Sequence, residues 1–593
     1  MKFLSMLLLA AIAINLSANM LPEKWDTAFF KVSEKDFMQG LPEKGFTRQI
    51  VLNDKPLNLD AIANGCDSAV ISSTIHVKQP QKIYLGVGCK IFSLSLNGKL
   101  IYDFRKYGLG NDIENVSIND HIIPLELAAG SNKIVFNTRR TNWRLDYCYG
   151  ADRVIRWHLA LKILKDYQPQ RAELAHPEMV LRPDRNSVVF SFVTSSPIPA
   201  GVEYRKKGDK KWLREYDTVG DLVLREKSRI HKVRISNIAN WGDIEYRLVL
   251  LEPPVGRDGF KRPLWTSRVY KEVYTPVKTL RNPDRKEFSF LLFGDTQLSI
   301  SNTCKTVAQR EELLKKMRSL PEYRQADFLV HIGDQDSVIH DAERILLKNL
   351  FDSFAPKKDE IVRPWLLVRG NHETNGMAAE DWFDYFQMPD DKSYYTAQIG
   401  EVLFIVLDCG DISKDDPLDA FNGPLLDMPK LFRKQAQWLA KVRKSPEFRN
   451  AKYRVILCHN DPQTSQSLLD RNVRQLTGDL LADNSDSGRI HLWIGGHTHR
   501  YRRAARNSRL LTARIKPNKI ALKTSPVNWV TVDGPKGDSK NPNFSYLAVK
   551  CTPQAIHVTA IDDTGKKIDE FAIAPDGKFK EIFKDKSLQD FQL

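Results

Sequence analysis

The chain has 593 residues, of which 42% are hydrophobic, 10% aromatic and 27% charged. These fractions lie close to the average of soluble globular proteins, so they exclude collagen-like, low-complexity and wholly disordered chains, and the length predicts about three to five domains. The formal net charge of +16 favours anionic partners without selecting one kind, and the seven cysteines, none of them in a C-x-x-C pair, exclude a disulfide-dense scaffold and argue against a cysteine-ligated zinc site.

Residues 1–18 have the pattern of a secretory signal peptide. Lys2 precedes an apolar run from Phe3 to Ile14, and small and polar residues follow as far as Ala18. The run is shorter than the roughly 20 residues that a membrane-spanning helix needs. The sequence therefore predicts cleavage near Ala18, a secreted or periplasmic protein and no membrane span.

Residues 19–170 predict a β-sandwich, because short apolar strands alternate with turn signals. The strongest signal is Asn97-Gly98, since this pair supplies the two positive-φ positions of a tight hairpin turn. The LNGK sequence at this hairpin resembles that of galactose-binding-like domains. Four aromatic residues could offer stacking faces to a carbohydrate, although aromatic side chains in a sandwich more often form its core. They are Trp143, Tyr147, Tyr149 and Trp157.

Residues 171–280 predict a second all-β domain. The run 187–194 alternates apolar and polar residues, and similar runs continue to 244–250, before the Pro253-Pro254 turn. This segment resembles the fibronectin type III-like domain that precedes the catalytic domain of purple acid phosphatases. It carries no pattern that indicates chemistry, so we expect it to be structural.

Residues 281–593 predict an α/β domain, because apolar strands alternate with helical segments before a β-rich tail. The predicted strands are 288–293, 326–332, 365–369, 402–408, 453–458 and 491–494, and the predicted helices include 303–320 and 342–354. The predicted fold is therefore multidomain, with two all-β sandwiches followed by an α/β domain.

Five short polar motifs follow strands of this last domain. Each lies at the carboxyl end of its strand, where open α/β sheets place ligands. Asp, Asn and His are ligands suited to Mn, Fe or Zn, and glycine allows the chain to turn sharply beside a metal or phosphate. The motifs are Gly294-Asp295-Thr296-Gln297, Gly333-Asp334-Gln335-Asp336, Gly370-Asn371-His372-Glu373, Cys458-His459-Asn460-Asp461 and Gly496-His497-Thr498-His499.

In this order the five motifs resemble the signature of the calcineurin-like metallophosphoesterase superfamily. That resemblance implies a four-layer α/β fold, a β-sandwich flanked by helices. The sequences QAQWLAKV at 435–442 and GHTHRYRR at 496–503 and the fibronectin-like segment narrow the resemblance to the purple acid phosphatase branch. It covers about residues 173–575 and leaves the first domain outside.

The resemblance implies a site for two divalent or mixed-valence ions of Fe, Mn or Zn. It makes Asp334 the carboxylate that bridges the ions, and it brings His372 to the phosphoryl group or the leaving oxygen. Two such ions lower the pKa of a water between them, and the resulting hydroxide would attack the phosphate ester. The other implied ligands are Asp295 and His499 for one ion and Asn371, His459 and His497 for the other.

Two positions depart from the family pattern. Ser337 stands where purple acid phosphatases have the tyrosine whose phenolate binds ferric iron, so the resemblance no longer implies that colour or that ion. Gln297 stands where many superfamily members have a histidine ligand. Gln297 could coordinate the ion or hydrogen-bond a water, and Asp336 or His340 could substitute for it.

Three neighbours of the motifs have open roles. Arg369 and Tyr501 could contact the substrate, with a solvated or structural role as the alternative for Arg369. Glu373 could orient a ligand, or it could be a solvated or capping residue.

The sequence thus predicts an exported binuclear phosphoesterase that hydrolyses mono- or diesters of a phosphorylated small molecule or polymer. The alternative is a glycan or cell-surface binding protein whose phosphoesterase domain has little or no activity, with the first sandwich as the carbohydrate-binding part. We predict no specific nucleic-acid partner, because Lys and Arg are spread through every domain and no nucleic-acid-binding motif is recognisable.

Overall fold

The computed structural model of the chain describes residues 21–88, 91–103, 121–140, 157–253, 270–297, 307–339, 341–343, 351–357, 359–386, 388–410, 426–462, 476–509, 524–534, 545–586 and 588. The predicted signal peptide lies outside these residues. The chain divides into two compact units, each made mainly of β-strands. They are Met1–Ala172 with Leu251–Val273, and Glu173–Leu250 with Tyr274–Leu593.

The first unit contains a six-stranded sheet of order β2-β1-β4-β9-β6-β7 and a four-stranded sheet of order β3-β10-β5-β8. Its strands are β1 (Lys24–Phe30), β2 (Arg48–Val51), β3 (Leu57–Asn58), β4 (Ser68–Val77), β5 (Gln81–Gly88), β6 (Ile91–Leu96), β7 (Lys99–Asp103), β8 (His121–Leu127), β9 (Gly130–Arg139) and β10 (His158–Ile163), and its helix is α1 (Glu34–Gln39). The predicted hairpin is present: Leu96 pairs with Lys99, and Asn97 and Gly98 have φ angles of 52° and 78°.

The core of this unit contains Trp157, which is 3% exposed. Its ring lies edge-on to Phe29 at 6.0 Å between centroids, and its Nε1 donates a hydrogen bond of 2.9 Å to Thr138 Oγ1. Trp157 is therefore a packing residue of the sandwich. The other three aromatic residues considered for carbohydrate, Trp143, Tyr147 and Tyr149, lie outside the described residues.

The second unit contains most of the strands and few helices. Its strands are β11 (Met179–Leu181), β12 (Ser187–Val193), β13 (Ala200–Lys206), β14 (Leu213–Tyr216), β15 (Thr218–Val219), β16 (Val223–Leu224), β17 (Ile230–Ser236), β18 (Ile244–Glu252, whose last two residues belong to the first unit), β20 (Lys278–Leu280), β21 (Phe288–Phe293), β22 (Phe328–His331), β23 (Trp365–Leu367), β24 (Tyr395–Ile399), β25 (Val402–Leu407), β26 (Tyr453–Cys458), β27 (Leu492–Gly495), β28 (Arg502–Ala504), β29 (Trp529–Thr531), β30 (Ser545–Cys551), β31 (Ile556–Asp562), β32 (Lys567–Ile573) and β33 (Phe579–Lys584). Strand β19 (Lys271–Tyr274) belongs to the first unit except for its last residue. Its helices are α2 (Val307–Ser319), α3 (Pro321–Gln325), α4 (Trp382–Tyr385), α5 (Met428–Val442) and α6 (Pro446–Asn450), with 3₁₀ turns at Phe351–Phe354, His372–Thr374 and Pro389–Asp391.

Two large sheets carry the predicted motifs. A ten-stranded sheet has the order β17-β12-β11-β23-β22-β21-β30-β31-β32-β33, and a six-stranded sheet has the order β24-β25-β26-β27-β29-β28. In the first, β21, β22 and β23 run parallel, with Phe293 beside His331 and His331 beside Leu367. In the second, β25, β26, β27 and β29 run parallel. Parallel strands end at the same edge of a sheet, so the motifs that follow them are brought together.

Alternating residues of β25 show how the two sheets are packed. Phe404 faces the first sheet, where its ring lies 5.6 Å from that of Phe290. The neighbouring Ile405 belongs instead to the core that contains Phe432 and Leu439 of α5. This period of two is the expected pattern of a strand buried on both faces. The second sheet is therefore covered by the first sheet on one face and by α5 on the other.

The ten-stranded sheet continues across a predicted domain boundary. Strand β11, from the fibronectin-like segment, pairs in parallel with β23 at Leu181 and Trp365. Strands from either side of residue 280 thus share one sheet within the second unit. The boundaries at residues 170 and 280 stay predictions, and so does the exact layer layout.

No helix among the described residues combines the length and the apolar character needed to cross a bilayer.

Arg454 provides a test of how the second unit is stabilised. This fully buried residue of β26 donates hydrogen bonds of 2.6 to 3.2 Å to four backbone carbonyl oxygens. We expect Arg454→Met to lower the free energy of unfolding by about 3 kcal/mol, because the carbonyl oxygens would stay buried without their donors. Urea unfolding of the purified protein measures the change. The acceptors are the carbonyls of Phe448, Arg449, Asp486 and Arg489.

Arg443 is the matched control, because it is partly exposed and lies 3.8 Å from Asp483 in a single ion pair. Arg443→Met should cost less than about 1 kcal/mol. Equal losses in the two variants would contradict a structural role for the buried guanidinium of Arg454.

Candidate metal centre

The five predicted motifs converge on one place, at the carboxyl ends of five parallel strands. The first sheet contributes Asp295 after β21, Asp334 after β22 and Asn371 after β23. The second sheet contributes His459 directly after β26 and the pair His497 and His499 after β27. Each side chain is therefore fixed by the end of a buried strand.

Several of these residues have backbone conformations that side-chain-bearing residues rarely adopt. The φ angle is 49° at Asp295, 39° at Gln297, 58° at Asp334, 67° at His497 and 50° at His499. Each left-handed residue other than glycine costs on the order of 1 kcal/mol or more. Strain of this kind is concentrated at functional sites, where the surrounding structure holds it in place.

Two glycines allow the motif loops to touch. At Gly333, whose φ is 103°, an added Cβ would lie 2.7 Å from the Gly370 nitrogen and 2.8 Å from His459 Nδ1. At Gly496, an added Cβ would collide with Asp295 Oδ2. Real Cβ atoms do not approach other atoms so closely, so a side chain at Gly333 would push the motif loops apart and one at Gly496 would displace the Asp295 carboxylate.

Two groups of residues can each hold a metal ion. Asp334, His459 and His497 form one group, and Asp295, Asp334 and His499 form the other, with the ligand atoms of each group within 4.8 Å of one another. Asp334 belongs to both. A carboxylate shared by two sets of nitrogen and oxygen ligands fits two neighbouring cations, as the sequence predicts.

The distances within the first group are short. His459 Nε2 lies 3.0 Å from Asp334 Oδ2. His497 Nδ1 lies 3.1 Å from Asn371 Oδ1, which places this predicted ligand beside the group. His459 Nδ1 lies 2.8 Å from the Ile332 carbonyl oxygen and donates its proton to it. The opposite nitrogen therefore points at Asp334, the orientation that a ligand histidine needs.

The second group is more open. His499 Nε2 lies 3.5 Å from Asp295 Oδ1, and a quarter of the His499 side chain is exposed. The backbone nitrogen of His497 donates to both carboxylate oxygens of Asp295, at 3.0 and 3.1 Å. Asp295 thus joins the first sheet to the loop that carries both histidines.

The ionisable side chains of the two ligand groups change one another's pKa values. Burial and the nearby Asp334 carboxylate raise the pKa of Asp295 to about 7, although His459 opposes that change. Burial disfavours the charged form of His459, but Asp334 and Asp295 raise its pKa to about 10. Burial likewise disfavours ionised Asp334, and His459 nevertheless holds its pKa well below the usual range. The cluster therefore concentrates negative charge that a cation would neutralise, so the residues present fit metal ions.

Glu373 connects two of the motif loops. Its buried carboxylate accepts hydrogen bonds from three backbone nitrogens: Gly370 at 2.7 Å, Asp334 at 3.0 Å and Gln335 at 2.5 Å. Burial and the charge of Asp334 raise the pKa of Glu373 to about 7. Of the two roles that the sequence leaves open, this geometry favours the orienting one.

His372 lies at the open side of the centre, with 28% of its side chain exposed. Its backbone nitrogen donates to Asp334 Oδ1 at 3.0 Å, and its Nδ1 lies 2.8 Å from the Ser337 carbonyl oxygen. Its Nε2 lies 3.8 Å from Asp334 Oδ2. A nitrogen that reaches both the cluster and the solvent is placed to meet a substrate.

The departures from the family pattern lie in this same region. Gln297 is fully buried, and its Nε2 lies 3.4 Å from Asp334 Oδ2. Ser337 is buried and contributes its backbone oxygen to His372, as described above. Asp336 is also buried, and its Oδ1 accepts a 2.7 Å hydrogen bond from the Ser337 nitrogen. His340 lies outside the described residues.

The two residues considered for substrate contact are each bound to a buried carboxylate. Arg369 places two guanidinium nitrogens 2.8 and 2.6 Å from Asp408 Oδ2. The Tyr501 hydroxyl donates to Asp569 Oδ2 at 2.7 Å. Asp408 directly follows β25, as the carboxylates of the motifs follow their strands, so its position in the sequence could have identified it as a residue of this region. Asp569 lies within β32 and carries no such signal.

Comparisons with known proteins point to one family for this region. Residues 288–501 match the family described as calcineurin-like phosphoesterase. No curated protein matches the chain.

Solved structures resemble the chain only distantly. A predicted phosphoesterase from Streptococcus pneumoniae is similar over 49% of this chain and 99% of its own, with 9% identity and a TM-score of 0.22. Vps29 complexed with zinc, from Entamoeba histolytica, is similar over 48% of this chain and 99% of its own, with 10% identity and a TM-score of 0.22. A β-galacturonidase from Eisenbergiella tayi bound to galacturonate is similar over 80% of each chain, with 10% identity and a TM-score of 0.20.

The family match covers the strands and loops that form the candidate centre, and the family is one whose members bind divalent metals. The narrower resemblance to purple acid phosphatases and the predicted N-terminal domains stay predictions. The similarity of this chain to the calcineurin-like phosphoesterase family therefore lies in residues 288–501.

Proposed function

We propose that this protein is an exported, purple acid phosphatase-like hydrolase that cleaves phosphate mono- or diesters with two bound metal ions. The observation that carries the proposal is the position of Asp334 in both ligand groups. Export is inferred from the signal-like sequence of residues 1–18. The substrate is a phosphorylated small molecule or polymer.

The chain's own residues would hold the ions in two sets that share Asp334. Asp295 and His499 complete one set, and His459 and His497, with Asn371 beside them, complete the other. When bound, the ions would supply positive charge that acidifies water and neutralises phosphoryl oxygens. Gln297 adds an amide beside Asp334, either as a further ligand or as a hydrogen-bond partner.

His372 is the candidate for proton transfer to the leaving oxygen. The Ser337 carbonyl oxygen accepts the Nδ1 proton, which fixes the ring and leaves Nε2 facing the centre. When the ring is protonated, Nε2–H can be donated to the oxygen that departs with the alcohol product. Without this proton, the leaving group would depart as an alkoxide. The proton therefore matters more as the leaving group becomes more basic.

Asp334→Asn tests the metal centre. We expect turnover of both 4-nitrophenyl phosphate and bis(4-nitrophenyl) phosphate to fall at least about 100-fold, because the variant loses the charge that both ions share. Metal analysis of the purified variant, by mass spectrometry after loading with Mn or Zn, should show loss of bound metal.

The matched control is Asp327→Asn, because Asp327 precedes the same strand at its opposite end. Asparagine can still accept the 2.9 Å hydrogen bond from the Ser289 nitrogen, so metal content and turnover should stay near those of the unsubstituted protein. Full activity of Asp334→Asn, or absence of hydrolysis by the unsubstituted protein with every metal and both ester types, would refute the proposed function.

His372→Ala tests the proton-transfer role by comparing leaving groups. We expect kcat to fall about 100-fold or more with a simple alkyl phosphate and less than about tenfold with 4-nitrophenyl phosphate, whose leaving group needs no proton. His557→Ala, a change outside the motif loops, is the control. Equal losses with both substrates would assign His372 to binding or structure instead.

A further inference from the structure

The loop that carries His499 is followed by an ionic cluster that centres on the buried Asp569 and is formed with the C-terminal strands. We define this C-terminal anchor as Tyr501, Arg503, Asp569 and Glu581. Asp569 lies on β32 and Glu581 on β33, so both lie beyond residues 288–501, the part of the chain that matches the phosphoesterase family.

We propose that Asp569 is a positioning residue for the metal centre, which holds His499 in place through Tyr501. The inference rests on the proposed function, because it concerns a ligand of the second metal group. It assigns a role to the C-terminal strands that neither the motifs nor the family match supplies.

Asp569 is the centre of the anchor. It is 1% exposed. Its Oδ2 accepts the Tyr501 hydroxyl at 2.7 Å and the Nε–H of Arg503, and its Oδ1 lies 3.3 Å from a second guanidinium nitrogen of Arg503. Arg503 also donates to Glu581. One buried carboxylate thus holds two side chains of the segment that leaves the metal centre.

The aromatic surroundings restrict the anchor further. The Arg503 guanidinium lies 5.6 Å from the centre of the Phe571 ring and 5.1 Å from that of Phe579. These two rings are stacked on each other at 5.0 Å. A cation between carboxylates and stacked rings has few alternative positions, so the anchor fixes the backbone from Tyr501 to Arg503.

His499 needs support from this side because its own position is strained and exposed. Its φ angle is 50°, and a quarter of its side chain is exposed. Before it in the chain, the loop is fixed where the His497 nitrogen donates to Asp295. After it, the Arg500 carbonyl oxygen accepts a 2.9 Å hydrogen bond from Thr531, and the Tyr501 hydroxyl then meets Asp569.

The covalent distance makes this coupling direct. Two peptide units separate the Cα atoms of His499 and Tyr501, a span of at most about 7 Å. A shift of Tyr501 toward solvent would therefore move the His499 ring relative to Asp295 Oδ1, from which its Nε2 lies 3.5 Å. Metal affinity falls steeply when a ligand is misplaced, typically about 10- to 100-fold when a supporting partner is lost.

Tyr501→Phe is the principal test, because it removes one hydroxyl and keeps the ring. The probe is Mn²⁺ alone, titrated calorimetrically into the metal-free full chain. We expect the dissociation constant of one Mn²⁺ to rise about tenfold and that of the other to change less than twofold. His499→Ala identifies the affected ion, since it should abolish the same binding step that Tyr501→Phe weakens.

Tyr453→Phe is the matched control. Tyr453 is buried, and its hydroxyl, like that of Tyr501, donates to the C-terminal region, at 3.3 Å to the Pro553 carbonyl oxygen. Tyr453 begins β26, at the end of the strand opposite His459. Both variants should lower the melting temperature slightly, but only Tyr501→Phe should weaken Mn²⁺ binding.

Asp569→Asn is the more disruptive variant, because it removes a negative charge that balances the Arg503 cation. We expect it to weaken the same Mn²⁺ step at least as much as Tyr501→Phe does. If it does not fold, Tyr501→Phe still decides the question.

The inference fails if Tyr501→Phe binds both Mn²⁺ ions as the unsubstituted protein does, or if it weakens both steps equally. It also fails if Tyr453→Phe has the same effect, because the loss would then be general. If the unsubstituted protein does not bind two Mn²⁺ ions, the proposed binuclear function fails first, and this outcome is distinct from the others.

Discussion

The main physical constraint on the candidate centre is the electrostatic free energy that it costs to bury three carboxylates close together. Asp295, Asp334 and Glu373 are all almost fully buried. Burial and the charge of Asp334 raise the pKa of Asp295 and of Glu373 to about 7, whereas the imidazole of His459, assisted by those of His372 and His497, keeps the pKa of Asp334 well below its usual range. Structures tolerate such charge when backbone donors and cations compensate it.

That electrostatic requirement explains the unusual backbone around the carboxylates. Glu373 takes three backbone nitrogens, and Asp295 takes the nitrogen of His497 twice. Donors can converge in this way only if loops from different strands touch, so glycine is required at Gly333 and left-handed conformations occur at the ligand residues. The strain in the loops and the crowding of charge in the candidate centre therefore have the same cause, which is the convergence of loops from different strands.

The sequence predicted those features of the fold that depend on residues close to one another in the chain. The Asn97-Gly98 hairpin forms as predicted, strand β21 coincides with the predicted run 288–293, and the five motifs lie together because parallel strands share an edge. Sequence could not predict pairings between distant segments. Leu181 meets Trp365 across a predicted domain boundary, and Tyr501 meets Asp569 over 68 positions. Nothing in the composition near Asp569 distinguishes it from a solvated acid of an exposed strand.

Ion pairs and hydrogen bonds between distant segments hold the candidate centre on two sides. On the side of Asn371, the preceding Arg369 is bound to Asp408, whose backbone oxygen and nitrogen are both bound by the Gln435 side chain of α5. On the side of His499, Tyr501 and Arg503 are bound to Asp569 of the C-terminal anchor. Buried ion pairs contribute little net stability, but removing one partner leaves a charge that no alternative packing can accommodate. They therefore specify one arrangement of the loops, and the strained residues of the candidate centre depend on that specificity more than on additional stability.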